Sequence, residues 1–266
     1  MSENHILELV QRIEALELEL TIFNAKRALA CIDKELRVER MGGCSLLYET
    51  NSPDSAYYNR VKGFGAKDLN KLELILEIYK RNNTTPCFDM TPHNLKEEVS
   101  QALSKHGFAP VEQLVFMQLA SCEYEECVEA VDIIEVTQEN AEEFINIIMA
   151  SRGGMDIGRQ VIERKKQYFC RPDFCNYIAY IEGEVAGIAS LFISGREGYI
   201  ANDYTFDKHR GRGVQKALLA HRINKAVEAG LENLYTDVEF GSVSHNNMEK
   251  MGFRTVFINS FWMKLS

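Results

Sequence analysis

Proline is scarce in this chain, at 5 of 266 residues, while 45% of the residues are hydrophobic and 26% charged. That is the composition of an ordered globular protein with enough apolar surface for a sizeable core, and it excludes extensive disorder. Positive charge is also short: 30 Lys and Arg face 39 Asp and Glu, for a net charge of −9. A duplex or an anionic membrane would on average be repelled, so no nucleic-acid or membrane partner is expected. The acidity sits mainly in the first 129 residues, which suits a cationic small-molecule or peptide substrate. No apolar run approaches the ~18 residues of a membrane span, and Met1-Ser2-Glu3-Asn4-His5 lacks the basic and apolar regions of a signal peptide. The expected location is cytoplasmic. Cysteine numbers seven, an odd count in a chain too long to need staples, so reduced thiols are expected. Cys122 with Cys127 and Cys170 with Cys175 share a C-x4-C spacing, but no histidine cluster accompanies them and no metal is expected.

The length fits two domains. Ile6, Leu9, Ile13, Leu16, Leu20 and Phe23 recur at spacings of three and four, marking an amphipathic helix. It is expected to pack on its own domain; a homodimer seam is the other reading. A strand at Ser45 to Glu49, a helix N-capped by Asp68, a strand at Pro86 to Met90, a helix from Thr91-Pro92 to about Lys105 and a strand at Val111 to Leu119 follow. Residues 121 to 130 lose periodicity and gain acidic charge, as a linker would. The expected division is therefore residues 1–122 and residues 131–266.

The second part reads as a strand at Ile133 to Val136, helices from Thr137 to Ala150 and Ile157 to Phe169, and two strands flanking the hairpin signal Glu182-Gly183-Glu184. A strand at Gly198 to Phe206 leads through a loop into a helix over Val214 to Ala229. A strand at Leu234 to Val238, a helix over Ser242 to Met251 and two strands, Thr255 to Ile258 and Phe261 to Lys264, close the series. Lys105-His106-Gly107-Phe108 and Lys250-Met251-Gly252-Phe253 both join a helix to a strand, a hint of tandem repetition.

The sharpest local feature is Arg210-Gly211-Arg212-Gly213-Val214-Gln215-Lys216 between a strand and a long helix. Its glycines allow a tight turn in which backbone N–H groups converge at the helix N-terminus, where the helix dipole favours phosphate. The loop is expected to hold a pyrophosphate; for a bare G-x-G, a basic turn whose glycines only cap structure is equally open. It lacks the Gly-Lys-Ser/Thr ending of a nucleotide P-loop and carries Lys216 where a dinucleotide fingerprint has glycine, so NTP hydrolysis and hydride transfer are disfavoured.

This segment resembles the pyrophosphate loop of the GCN5-related N-acetyltransferase (GNAT) family, Gln/Arg-x-x-Gly-x-Gly/Ala, with Arg210, Gly213 and Gln215 in its places. Gln215 departs from the family's small residue. The stretch from Gly241-Ser242-Val243-Ser244 through Asn247 and Glu249 to Gly252-Phe253 is similar to the family's last conserved helix, Gly-Ser-x-Ser-x-x-Asn-x-Glu-x-x-Gly-Phe. The resemblance covers about residues 131 to 266; more loosely, Asn59-Arg60-Val61 to Gly63-Phe64-Gly65 after Tyr57-Tyr58 resembles the leading domain of two-domain members. It implies an α/β (α+β) protein: a mixed, mostly antiparallel central sheet flanked by helices in the C-terminal part, preceded by a smaller, degenerate domain of the same kind that completes the acceptor pocket or serves structure.

The resemblance further implies acetyl-CoA as cosubstrate, with the loop amides of Gly211 and Arg212 to Lys216 on the pyrophosphate. Tyr204, Thr205 and Phe206 would pair with the pantetheine as a pseudo-strand, and the splaying of that strand from Leu234 to Val238 would make the slot. Asn247 would bond the pantetheine or support its helix. A backbone N–H would polarise the thioester carbonyl. Amine attack needs a base, because an alkyl ammonium has a pKa near ~10.4. Asp203 and Glu239 are the candidates from among the acidic residues at the strand ends, which include Asp237; for each, a carboxylate that only sets the local field is the other reading. The family's tyrosine acid falls at Met248, which cannot donate a proton, so Tyr235 or Tyr204 would replace it or the thiolate would leave unassisted. The expectation is acetyl transfer to a primary amine of a small molecule or peptide. The alternatives are a non-catalytic acyl-CoA-binding protein and an interaction protein built on the first helix.

Overall fold

The computed structural model describes residues 3–120, 131–154 and 157–265. The expected linker at 121–130, with Cys122 and Cys127, lies outside them.

The chain opens with helix α1 (Glu3–Arg27), followed by strands β1 (Arg37–Met41), β2 (Cys44–Tyr48) and β3 (Arg60–Lys62), helix α2 (Leu72–Arg81), β4 (Cys87–Met90), α3 (Glu97–Lys105) and β5 (Phe108–Ala120). The second half runs β6 (Asp132–Glu135), α4 (Ala141–Ser151), α5 (Arg159–Lys165), β7 (Phe174–Ile181), β8 (Glu184–Ser194), β9 (Glu197–Thr205), α6 (Val214–Glu228), β10 (Asn233–Glu239), α7 (Val243–Lys250) and β11 (Arg254–Lys264). All eleven strands form one sheet in the order β1-β2-β3-β4-β11-β5-β10-β9-β8-β7-β6. Neighbours are antiparallel except β3 with β4 and β9 with β10, each joined through a crossover helix. This is the mixed, mostly antiparallel sheet with flanking helices that the resemblance implies for the C-terminal part, continued here through both halves.

The order interleaves the two halves. β11 lies between β4 and β5, and β5 lies between β11 and β10, so each half places its last strand inside the other's run. Both exchanged strands follow the Gly-Phe pairs noted in the sequence. Gly107 and Gly252 turn the chain out of a helix at φ of 82° and 92°, and Phe108 and Phe253 are buried. The two expected C-terminal strands are one continuous β11, bent by register shifts at Thr255/Phe257 and Phe261/Trp262. It does not break at Asn259-Ser260 because both residues are buried and Asn259 bonds the Asp89 carboxylate of β4.

α1 lays Leu9, Ile13, Leu16, Leu20 and Phe23 on the sheet face that also buries Phe144 of α4, Phe174 of β7 and Phe116 of β5. From Leu9 to Phe23 its apolar stripe is therefore covered within the chain, while Ile6 and Leu7 at its start stay exposed. Glu17, on the same helix, is buried against Arg60 and Lys62 of β3; Arg60 Nη1 lies 2.8 Å from its Oε1. Asp89 completes the cluster, 2.6 Å from Lys62 Nζ and 3.1 Å from Arg60 Nη1. Asp68 does not cap a helix as expected: it sits inside a short 3₁₀ turn (Ala66–Lys71) and accepts the Gly43 N–H at 3.2 Å, pinning the β1–β2 hairpin.

Candidate active site: a parted strand pair and the start of helix α6

β9 and β10 are hydrogen-bonded only over Asn233↔Glu197, Leu234↔Gly198 and Tyr235↔Tyr199. Beyond Tyr199 and Tyr235 they diverge, β9 bulging at Asn202, whose φ is 54°. The splaying that the resemblance implies is present, and it opens a slot flanked by two cavities.

The first cavity, about 700 Å³, lies where β9 hands over to α6. Gly213 is the N-cap of α6 at φ 82° and carries no side chain to satisfy the helix's first amides. α6 can reach the sheet because residue 187 on β8 is glycine: a Cβ there would lie 2.8 Å from Val214 Cγ1 and 2.6 Å from the Tyr204 carbonyl oxygen. Of the residues expected on the cofactor, Tyr204, Thr205, Arg210, Gly211, Gly213, Val214, Gln215, Lys216 and Asn247 line this cavity. Arg212 and Phe206 do not. The Arg212 amide is spent on the His209 carbonyl at 3.3 Å, its guanidinium faces Glu182, and Phe206 packs edge-on against Tyr204. Arg210 is exposed and paired with Asp207 at 2.8 Å.

Gln215 closes the inner end of this cavity. Its Nε2 donates to Ser244 Oγ at 3.1 Å and its Oε1 accepts from Asn247 Nδ2 at 2.6 Å, tying α6 to α7 across the slot. The departure from a small residue thus has a structural consequence: Gln215 and Ser244 line both cavities and stand between them. His245 is structural, its Nδ1 accepting the Gly241 N–H at 3.0 Å where α7 begins, with Ser242 as N-cap.

The second cavity, about 690 Å³, is built by both halves: α1 and the segment after it, Tyr57 and Tyr58, the end of α4, and the parted ends of β9 and β10. The expected catalytic residues divide on inspection. Asp203 reaches both cavities, but its carboxylate is gripped by the fully buried Arg222 of α6, with Nη1 to Oδ2 at 3.0 Å and a second bond from Nη2 to Oδ1. Arg222 also donates to the Leu218 and Ser190 carbonyls, so Asp203 neutralises a core arginine and is not a free base. Tyr235 is buried with its ring in the core, beside Arg12 and Glu197, and lines neither cavity, so its hydroxyl does not face the slot. Glu239 is exposed on the cavity wall, and Met248 is buried in it.

Asp237 emerges as the better-placed carboxylate. It lies on the same face of β10 as Glu239 and lines the second cavity. Its Oδ1 accepts a hydrogen bond from Tyr199 Oη. Burial raises its pKa above the ordinary carboxylate value; the Tyr199 hydrogen bond opposes this and the charge of Glu17 adds to it. Strand periodicity alone could place Asp237 beside the cleft, but only the packing of Tyr199 against it separates it from Glu239.

Residues 135–253 match the model of the Acetyltransferase (GNAT) family. No curated protein sequence matches the chain. Among solved structures, a GCN5-related N-acetyltransferase from Kribbella flavida superposes with a TM-score of 0.64 at 14% identity, over 92% of this chain and 95% of that one. One from Sphaerobacter thermophilus gives 0.61 at 12% identity, over 84% and 81%. A tandem GNAT protein from the clavulanic acid biosynthesis pathway gives 0.56 at 12%, over 85% and 80%. At these identities the likeness is one of fold, and it extends through both halves.

Proposed function

We propose, on the premise that residues 135–253 are a GNAT acetyltransferase domain, that the chain moves an acetyl group from acetyl-CoA directly to a primary amine of a small molecule or peptide in the cytoplasm. The observation that carries this reading is the α6 N-terminus without a side-chain cap, opening on a cleft of about 700 Å³ that meets a second cavity where β9 and β10 part. The residues fit the cosubstrate. First-turn amides of α6, with Gly211 and Lys216 beside them, suit a diphosphate. The β9 edge around Tyr204 and Thr205, which β10 does not pair, suits an amide-bearing arm in strand-like hydrogen bonding.

Acetyl-CoA supplies an acyl group activated as a thioester. In the second cavity, Asp237 receives the ammonium proton of the acceptor, held in place by Tyr199 and kept basic by burial. Glu239 at the exposed wall draws cations in. Met248 offers no proton, so the C–S bond breaks without a side-chain acid, which a thiol of pKa ~8.5 permits near neutral pH, and the second proton of the attacking nitrogen leaves through solvent to the thiolate. The N-terminal unit, residues 1–122, supplies the wall of the acceptor cavity formed by α1, Tyr57 and Tyr58; residues 131–266 supply the acetyl-CoA site.

The Gln215 bridge favours a second reading, a protein that binds acyl-CoA without turning it over. Calorimetric titration with acetyl-CoA, followed by thiol release in the presence of an amine panel, separates them. Saturable binding with turnover is expected; binding without turnover for any amine would establish the second reading, and no binding would remove both.

A further inference from the structure

The acceptor cavity contains a cation that no described residue neutralises. Arg27, in the last turn of α1, is 8% exposed and lines the 690 Å³ cavity. Its guanidinium lies over the rings of Phe174 and Phe169, at 4.7 and 5.5 Å from their centroids. Nε donates to Asn24 Oδ1 at 2.6 Å and Nη2 to Asn202 Oδ1 at 3.3 Å; among the described residues Nη1 has no partner and no carboxylate lies within ion-pair distance. Burial pushes its pKa down to about 10; the hydroxyls of Tyr57 and Tyr58 oppose the shift, and the charge of Arg152, on the same cavity, adds to it.

The other buried cations of the described chain are treated differently. Arg60 and Lys62 share Glu17 and Asp89, Arg222 has Asp203, and Lys165 has Asp33 at 2.8 Å. A buried charge without a counter-ion is costly, so a site that keeps one beside a cavity is one that a ligand completes. The geometry favours a planar two-oxygen anion: stacking fixes the guanidinium plane, two asparagines take N–H groups from its edge, and the remainder of that edge is presented for a fork-like contact.

We infer that Arg27 anchors a carboxylate carried by the amine acceptor, with Arg152 as a second donor, so that the substrate class is a zwitterionic amino acid or a peptide whose carboxylate enters with its amine. This rests on the acetyltransferase reading for the fate of the amine. The same cavity holds Asp237 and Glu239 for the ammonium end. Tyr199, which holds Asp237, and Asn202, which holds Arg27, are three residues apart on β9, on the order of 10 Å of strand.

The test is calorimetry on the full chain without acetyl-CoA, using ω-amino acids of graded length and, for each, the matching carboxamide. At least one acid is expected to bind about tenfold or more tighter than its amide, and Arg27→Gln to bring the two to parity. Should Arg27→Gln not fold, Arg27→Lys and Arg152→Gln carry the comparison, each reducing the preference. Equal binding of acid and amide to the wild type, or a preference that survives Arg27→Gln undiminished, overturns the inference. A further arm offers succinyl-CoA and acetyl-CoA with an alkylamine that carries no carboxylate; preference for succinyl-CoA would put the carboxylate on the acyl donor and likewise overturn the acceptor assignment. Absence of heat with acetyl-CoA would count against the acetyltransferase reading alone, because the acid–amide comparison is made without it.

Discussion

The Tyr199 hydroxyl of β9 donates to the Asp237 carboxylate of β10, two residues past the last hydrogen-bonded pair of those strands. The contact spans the gap where the sheet opens, so it fixes a carboxylate at the fork without closing it. Because burial holds the Asp237 pKa above its ordinary value, the folded protein retains this proton to higher pH than an exposed aspartate would. Turnover should therefore rise as pH climbs through that elevated pKa. Asp237→Asn is expected to lower kcat/KM by about 10²- to 10⁴-fold and to remove that limb of the pH profile, while calorimetry shows acetyl-CoA affinity close to wild type.

Gly213→Glu places bulk, negative charge and a side chain at φ 82° where the first amides of α6 face the cleft. The left-handed conformation alone costs roughly 1–2 kcal/mol. Acetyl-CoA affinity is expected to fall by about a hundredfold or more, read by calorimetry, with circular dichroism reporting a retained fold.

Gln215→Ala removes the bridge to Ser244 and Asn247. Loss of its two hydrogen bonds is expected to cost about 1–2 kcal/mol of stability in urea unfolding. Stopped-flow mixing should show faster acetyl-CoA association, because the side chain standing between the two cavities is gone; an unchanged association rate would mean that Gln215 does not gate the slot.

Two buried glutamates of α1 should respond to pH with opposite sign. Burial alone would raise the pKa of Glu17, but Arg60 and Lys62 outweigh it and hold the carboxyl well below its ordinary value. Its contribution is present above the usual carboxylate pKa and is lost as pH falls through the depressed one. Glu17→Gln should therefore destabilise by about 3–5 kcal/mol at pH 7 and by progressively less toward pH ~3.

Glu14, one turn earlier, has a buried oxygen without a partner, and burial pushes its pKa up to about 7. Its contribution is greatest below the ordinary carboxylate pKa and disappears as pH rises through about 7. Glu14→Gln is expected to raise stability at pH 8, on the order of 2 kcal/mol, and to have little effect at pH 4; chemical denaturation at both values reads the difference.

Local chemistry was legible in the sequence where neighbours along the chain decide it. The Glu182-Gly183 hairpin, the α6 start after Gly213 and its stop before Gly230 all stand where glycine and periodicity place them. β1 escaped because its edge position leaves Arg37, Glu39 and Arg40 exposed, so a strand with charged residues reads as a loop. β11 reads as two strands because Asn259-Ser260 looks like a turn, and the carboxylate that Asn259 bonds lies 170 residues away. The roles of Asp203 and Arg27 are not legible in the sequence for the same reason: Arg222, which occupies the one, and the missing acid, which distinguishes the other, are facts of packing between distant segments.

The central position of β11 also orders events during synthesis. Every other strand leaves the ribosome earlier, yet β4 and β5 cannot be joined into one sheet until the segment 254–264 arrives to pair with both. Until then both present unpaired edges, surfaces prone to pairing with other chains. Nascent molecules stalled before residue 254 should thus be the ones that chaperones must shield, and a cut anywhere in 121–130 should yield two fragments that need each other to finish folding.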